Sequence, residues 1–428
     1  MTADPPVDRT REPSRLARKL GPTDAVVIGL GSMIGAGVFV AIAPAASAAG
    51  SGLLLGLLVA AFVAYCNATS SSALASLYPE SGGTYVYGRK RLGAFWGFLA
   101  GWGFVVGKLA SCAAMALTFG SYAAPSLSRP LAVGAVLVLT IVNYFGVTKT
   151  ALLTRVIVTV VLASLAFVVA VTLAGGTADA SRLRPLTDAH AYGILQSAGL
   201  LFFAFAGYAR IATLGEEVID PSRTIPRAIP LALAITLAVY AAVALSALAA
   251  VDATTLAQTS APLRTAVEAG RFASWSPIVR IGAAVASLGV LLSLLAGVSR
   301  TAFAMAANRD LPQVFAAVHP RYRIPHRAEL AVGAIVATLA AVTDLRDAIG
   351  FSSFAVLTYY AIANASALTL SPDERRWPRG IAVAGVAGCV LLAFALPLAS
   401  VIAGSAVLVV GALVFVVRTN ASEVPRRP

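Results

Sequence analysis

Charged residues are scarce in this chain. Asp, Glu, Lys and Arg make up 12% of its 428 residues, against about 25% in a soluble globular domain. Histidine and cysteine number three each. His190, His319 and His326 are scattered near the boundaries of apolar stretches and form no metal-ligand pattern. Cys66, Cys112 and Cys389 lie singly inside apolar stretches, which excludes a zinc spacing or a disulfide framework and marks them as small core hydrophobes. No nucleophile–base pair is in view and no cofactor or metal is implied, so an enzyme is the least expected class. The shortage of acid is the most telling. None of the 19 Asp and Glu falls at the centre of an apolar run. A carboxylate relay is therefore not expected, and a buried sodium ion would have to be held by carbonyls and hydroxyls.

What the chain has instead is apolar sequence: 58% hydrophobic residues and a mean hydropathy of +0.84. Runs long enough to cross a bilayer recur at 25–49, 52–77, 94–122, 131–146, 151–174, 192–214, 228–250, 277–306, 329–343, 348–370, 380–398 and 400–417. The pattern predicts an all-α polytopic membrane protein with about twelve transmembrane helices. The first run follows several arginines, and Ala43–Ala48 resembles a cleavage site. The run nevertheless continues past the length of a signal peptide's apolar region, in a chain that is membranous throughout. A net charge of +13 would suggest nucleic acid on a soluble protein; here the cations mark topology. With the N-terminus in the cytoplasm, 23 Lys and Arg fall in tails and inner loops and 7 in outer loops, leaving Lys108 and Arg210 within runs. The positive-inside rule then places both termini in the cytoplasm. Anionic membrane lipid is the expected partner of these cations, and nucleic acid is not.

The first run is interrupted at Gly31-Ser32-Met33-Ile34-Gly35-Ala36-Gly37, with three glycines in seven residues. Glycine weakens a helix, and an unwound segment leaves N–H and C=O groups without partners in hydrocarbon. Such a break is tolerable only where it faces protein, water or a ligand. A weaker interruption lies in the sixth run, at Phe202-Phe203-Ala204-Phe205-Ala206-Gly207-Tyr208. The two runs are five apart, an odd offset, so two sets of five helices would be inverted with respect to each other. Broken helices at matching places in two such halves point to a midplane binding site in a secondary transporter. A dinucleotide fingerprint is excluded: Gly29 and Gly31 would need a third glycine where Ile34 stands, and no strand precedes them.

Further motifs follow in order. Tyr78-Pro79-Glu80-Ser81-Gly82-Gly83-Thr84-Tyr85 follows the second run, and Glu216-Glu217-Val218-Ile219-Asp220-Pro221 and Ile225-Pro226-Arg227 follow the sixth. Ser299-Arg300, Ala304-Met305-Ala306 and Asp310-Leu311-Pro312 follow the eighth. With Gly29–Phe39, this ordered set resembles the amino acid–polyamine–organocation permease superfamily over residues 24 to about 330. The resemblance implies a five-plus-five inverted-repeat (LeuT-like) core, alternating access and transport of amino acids or related amines. It implies that backbone around Ser32, Met33, Ile34, Gly35, Ala36 and Gly37 holds a substrate carboxylate. A helix N-terminus can do this without a cationic side chain. It likewise implies that the second break, at Phe203, Ala204, Phe205 and Gly207, holds the amino group, with Phe203 or Phe205 closing over the substrate.

Lys108 stands near the middle of the third run, where a charge costs roughly 3 kcal/mol. It is a candidate proton carrier or cavity residue; a lysine that snorkels or bonds a carbonyl is the alternative. In some proton-coupled relatives a lysine of the fifth helix replaces a sodium ion, but the matching position here is Val161. Arg210 lies just beyond the second break. Glu80, Glu216 and Glu217, with Lys19 and Arg91, are candidates for a cytoplasmic gate or for solvated ion pairs. Gly93, Gly97 and Gly101, spaced by four, predict close packing of the third run. The expected organisation is a tail at 1–23, repeats at 24–174 and 190–370, peripheral helices at 378–418 and a tail at 419–428. The expected function is proton-coupled amino acid symport across the plasma membrane. An exchanger or polyamine carrier, or a transport-inactive sensor or subunit, stands as the alternative.

Overall fold

The computed structural model describes residues 20–78, 82–146, 151–183, 190–208, 211 and 218–423. Within them each of the twelve predicted runs is helical. The first run is split into α1 (Pro22–Met33), α2 (Gly37–Val40) and α3 (Ile42–Ala49). Then follow α4 (Leu53–Leu77), the short α5 (Thr84–Arg91), α6 (Ala94–Ala123), α7 (Ser128–Tyr144), α8 (Ala151–Ala174) and α9 (Ala191–Phe205). The second half contains α10 (Pro221–Ala250), the short α11 (Ala253–Gln258) and α12 (Pro262–Glu268), α13 (Ser276–Ala307), α14 (His326–Val342), α15 (Leu345–Leu368), α16 (Arg379–Ala395) and α17 (Leu398–Glu423).

Among the described residues, ten segments are long and apolar enough to cross a membrane. The difference from twelve lies in α14 and α16, which have 17 residues each, about 25 Å of helix. That is the short end of spanning length. The sixth run breaks within the expected interruption at 202–208: α9 ends at Phe205 and continues as a tighter turn over Ala206–Tyr208. Two boundaries differ from expectation. Helix α10 starts at Pro221 rather than 228, with proline in its first turn, where the missing N–H costs nothing. Helix α17 runs to Glu423, past the expected start of the tail at 419.

Helices α6 and α15 are the most enclosed spans, whereas α7, α8 and α17 carry the most exposed apolar surface. Exposed side chains such as Leu137 and Val138 on α7 and Val409 and Leu413 on α17 suit a hydrocarbon solvent. Helix α6 packs against α13 and α15. A Cβ at Gly107 would come within 2.6 Å of the Ala355 Cβ, so glycine sets how closely α6 and α15 approach. All three cysteines are buried and free, as small apolar fillers should be. Trp96 is exposed, while Trp102 donates to the Val407 carbonyl of α17 at 2.9 Å.

Candidate functional site

The two interruptions lie side by side. Helix α1 ends where Ile34 takes φ −77° and ψ 52°, and α2 begins three residues later. A Cβ at Gly37 would sit 2.8 Å from the Ala204 Cα, and one at Gly207 only 2.1 Å from the Ser32 carbonyl oxygen. Gly207, the weak sequence signal, is thus the point where the second break touches the first. Gly35 faces α13: its Cβ would lie 2.3 Å from a Val290 methyl. Ser32 is turned back on its own helix, donating from Oγ to the Ile28 carbonyl at 2.9 Å.

Two tyrosines hold the ends of the first break. The Tyr122 hydroxyl of α6 donates to the Phe39 carbonyl at 2.6 Å, and its ring meets Phe39 edge-on. The Tyr240 hydroxyl of α10 lies 2.5 Å from the Met33 carbonyl and 3.0 Å from the Ala204 carbonyl. One hydroxyl proton serves one acceptor fully at a time, so Tyr240 ties both breaks together while leaving one carbonyl under-bonded. Met33, Ile34, Ala36, Ala204 and Phe205 are all buried. Among the described residues, the N–H groups of Gly35, Ala36 and Gly37 have no hydrogen-bond acceptor. Buried N–H groups in that condition are costly. They precede an almost continuous helical stretch, because Ala41 donates back to Gly37 and Ala45 to Ala41.

The second break divides the roles of its phenylalanines. Phe205 is fully buried with its ring against Tyr240, and Phe202 packs against Tyr360. Phe203 keeps 8% exposure and is the freer of the two proposed lids. The Ala204 carbonyl, expected to face an amino group, already faces Tyr240. The Ala206 carbonyl accepts from Tyr360 at 3.3 Å.

Lys108 is 8% exposed and has no hydrogen-bond or ion-pair partner among the described residues. Neither the carbonyl bond nor a pairing carboxylate is there. It sits where α6 meets α15, between the Gly107–Ala355 contact and a Ser111–Ser352 hydroxyl pair at 2.6 Å.

Of the gate candidates, Lys19, Glu80, Glu216 and Glu217, and Arg210 as well, lie outside the described residues. Their described neighbours Leu20 and Val218 form a backbone bridge, Ile219 donating to Leu20 at 2.9 Å. Arg91 pairs with Glu374 at 2.6 Å, a carboxylate not among the expected partners. The Arg91 guanidinium, helped by the Ser371 N–H, holds the Glu374 carboxyl down at about 2.

Sequence reasoning missed two acidic groups. Asp310, 2% exposed, accepts from Arg89 at 2.6 Å and Tyr85 at 2.6 Å, and pairs with Arg418. Asn308 donates to the same Tyr85 hydroxyl at 3.0 Å. Burial and the adjoining Asp310 carboxylate push the Tyr85 phenol up to about 12, so it stays a donor. Asp310 was visible as part of an ordered motif, though not as a charge that side chains of two helices, α5 and α17, share. Glu329 is the second, 3% exposed. It opens the ninth apolar run, a position that reads as a surface end. The turn at Gln313–Ala316 packs on both α13 and α14, while Ser299 of α13 and Asn143 of α7 lie beside the carboxyl.

Broken spans held against each other inside a helical bundle are the arrangement of a multi-pass membrane transporter. The sequence profile of the amino acid permease family matches residues 24–425, and the chain belongs to this family, within the amino acid–polyamine–organocation superfamily. It is 64% identical to an uncharacterized transporter of Mycobacterium tuberculosis over 96% of this chain and 94% of that one. A branched-chain amino acid permease of Bacillus subtilis is 24% identical over 87% and 84% of the two chains. Human cationic amino acid transporter 4 is 30% identical over 85% and 61%.

Proposed function

We propose that this permease carries neutral amino acids with apolar side chains across the plasma membrane by proton-coupled symport, with both termini in the cytoplasm. Residues 24–174 and 190–370 are its two inverted repeats. The observation that carries the reading is the row of unpartnered N–H groups at Gly35, Ala36 and Gly37. A substrate carboxylate would satisfy all three and gain from the helix dipole behind them. Ser32 and Met33 frame this anion site, and Ile34 belongs to its wall. The amino group would lie toward the second break, near the carbonyls of Phe203 and Phe205, with Phe203 as the moving lid and Gly207 keeping the two breaks close.

The names of the relatives disagree on the side chain carried, so the site has to decide. Val290, Ile34 and Phe203 offer apolar surface, and no carboxylate among the described residues faces the break to balance a cationic side chain. The test is uptake by purified protein in liposomes. Radiolabelled L-leucine should enter, faster with an acidic exterior, and unlabelled L-valine should compete while L-arginine and putrescine do not. Uptake of arginine in preference to leucine would refute the specificity. Leucine counterflow without net uptake would favour exchange over symport.

A further inference from the structure

Glu329 is a carboxyl inside the bundle for which the substrate site has no use. It lies in the first turn of α14, 3% exposed, and its Oε1 has no hydrogen-bond partner. Its polar neighbours are Ser299 of α13 and Asn143 of α7. Both stand within hydrogen-bonding reach of the carboxyl, and each also donates to a backbone carbonyl, the Ser299 hydroxyl to Leu295 at 2.8 Å and one N–H of the Asn143 amide to Leu292 at 3.2 Å. A permanently ionised carboxylate would be expensive in such a pocket, whereas a carboxyl that gains and loses a proton is at home there.

We infer that Glu329 is a proton-binding site of this transporter, protonated from one side of the membrane and deprotonated to the other as the bundle changes state. The inference rests on the proposed proton symport and names the group that holds the proton. The link to substrate is helix α13. Val290 faces Gly35 at the first break, and Ser299 borders Glu329 nine residues along the same helix, about 13 Å away. Any displacement of α13 by an occupied break is felt at the carboxyl, and protonation of the carboxyl is felt at Val290.

The charged and titratable groups around Glu329 are few. Helix α13 brings Arg300, which is exposed and acts on Glu329 from a distance. Helix α6 brings Cys112, within electrostatic reach of both Glu329 and Lys108. Helix α7 presents Asn143, which does not titrate, and the Gln313–Ala316 turn has no ionisable side chain. On α14 itself, His326 lies one turn earlier with its ring against His319.

The experiment uses the full chain in liposomes with a trapped pH dye, L-leucine as the probe, and the variants E329Q, E329D and H326Q. Wild type should bring protons in with leucine. E329Q, shaped like the protonated acid, should keep leucine counterflow, lose leucine-driven proton entry and show uptake that no longer varies across about pH 5 to 8. Proton entry by E329Q at the wild-type rate overturns the assignment, as does loss of proton entry in H326Q alone. If E329Q does not fold, as judged by gel filtration and thermal unfolding, E329D decides. A moved midpoint of the pH profile supports Glu329, and an unmoved midpoint overturns it. Wild-type leucine uptake without proton entry would instead sink the symport reading itself, whatever the variants do.

Discussion

Replacing Gly207 with alanine tests the contact on which both breaks depend. The added Cβ would lie 2.1 Å from the Ser32 carbonyl oxygen, 2.3 Å from its carbon and 2.6 Å from the Met33 nitrogen. Ordinary contact begins near 3.4 Å, so the two backbones must part by about 1 Å. The obstacle is backbone, with no flexible side chain to swing aside. Overpacking of this kind costs about 1–3 kcal/mol. The same movement stretches the Tyr240 bridge between the Met33 and Ala204 carbonyls. Because substrate has to pull the two breaks together again, much of that cost should appear in binding, as a loss of about 5-fold to 150-fold in leucine affinity. Leucine-dependent thermal stabilisation of the purified protein, with uptake in liposomes, measures it. Gly297→Ala is the control, since nothing lies within 4 Å of the Cβ it would add. Full affinity and unchanged uptake in G207A would refute the view that the breaks meet at Gly207 and that their contact shapes the site.

Three further outcomes follow from the geometry. Tyr240→Phe should fold with a stability loss of about 1 kcal/mol and a weaker response to leucine; an unaltered response means the bridge has no part in binding. Lys108→Ala should keep both leucine counterflow and leucine-driven proton entry, because the proton is held at Glu329, and loss of proton entry would give that role to Lys108. The Arg91–Glu374 pair should not be the pH sensor. The Glu374 carboxyl is depressed from 4.5 to about 2. Its contribution is therefore complete above 4.5 and lost only as pH falls toward 2. Glu374→Gln should leave the uptake profile between about pH 5 and 8 in place, and a shifted profile would show the opposite.

The helices and the first break were legible because the signals are local. Apolar runs of spanning length have few other uses, and three glycines in seven residues have few homes within one. The second break was legible only by analogy with the first, since one glycine is an ordinary feature of a membrane helix. Its meaning came from where it lands, against the Ser32 carbonyl. Tyr240 carried no mark at all: a tyrosine within an apolar run does not disclose which carbonyls its hydroxyl will reach. Glu329 drew no attention for a physical reason. An acid at the edge of an apolar run carries no sign of burial, yet Glu329 is 3% exposed, with side chains of α13 and α7 beside it. The absence of acid from the centres of the runs is real, yet depth in the bundle depends on what covers a helix end as well as on position in the run.

The tie between Arg418 and Asp310 changes what the last helix is for. A helix with so much of its surface turned to lipid reads as packaging around a moving core. Its final cation nevertheless shares one buried carboxylate with Arg89, from the short helix α5, and also donates to the Arg309 carbonyl. The end of the bundle that carries Asp310 cannot open while α17 stays still unless that shared ion pair is broken. The C-terminal helix is thus anchored by its own cation to the buried carboxylate that Arg89 also holds, so its end is part of the bundle's polar interior as well as of its apolar surface.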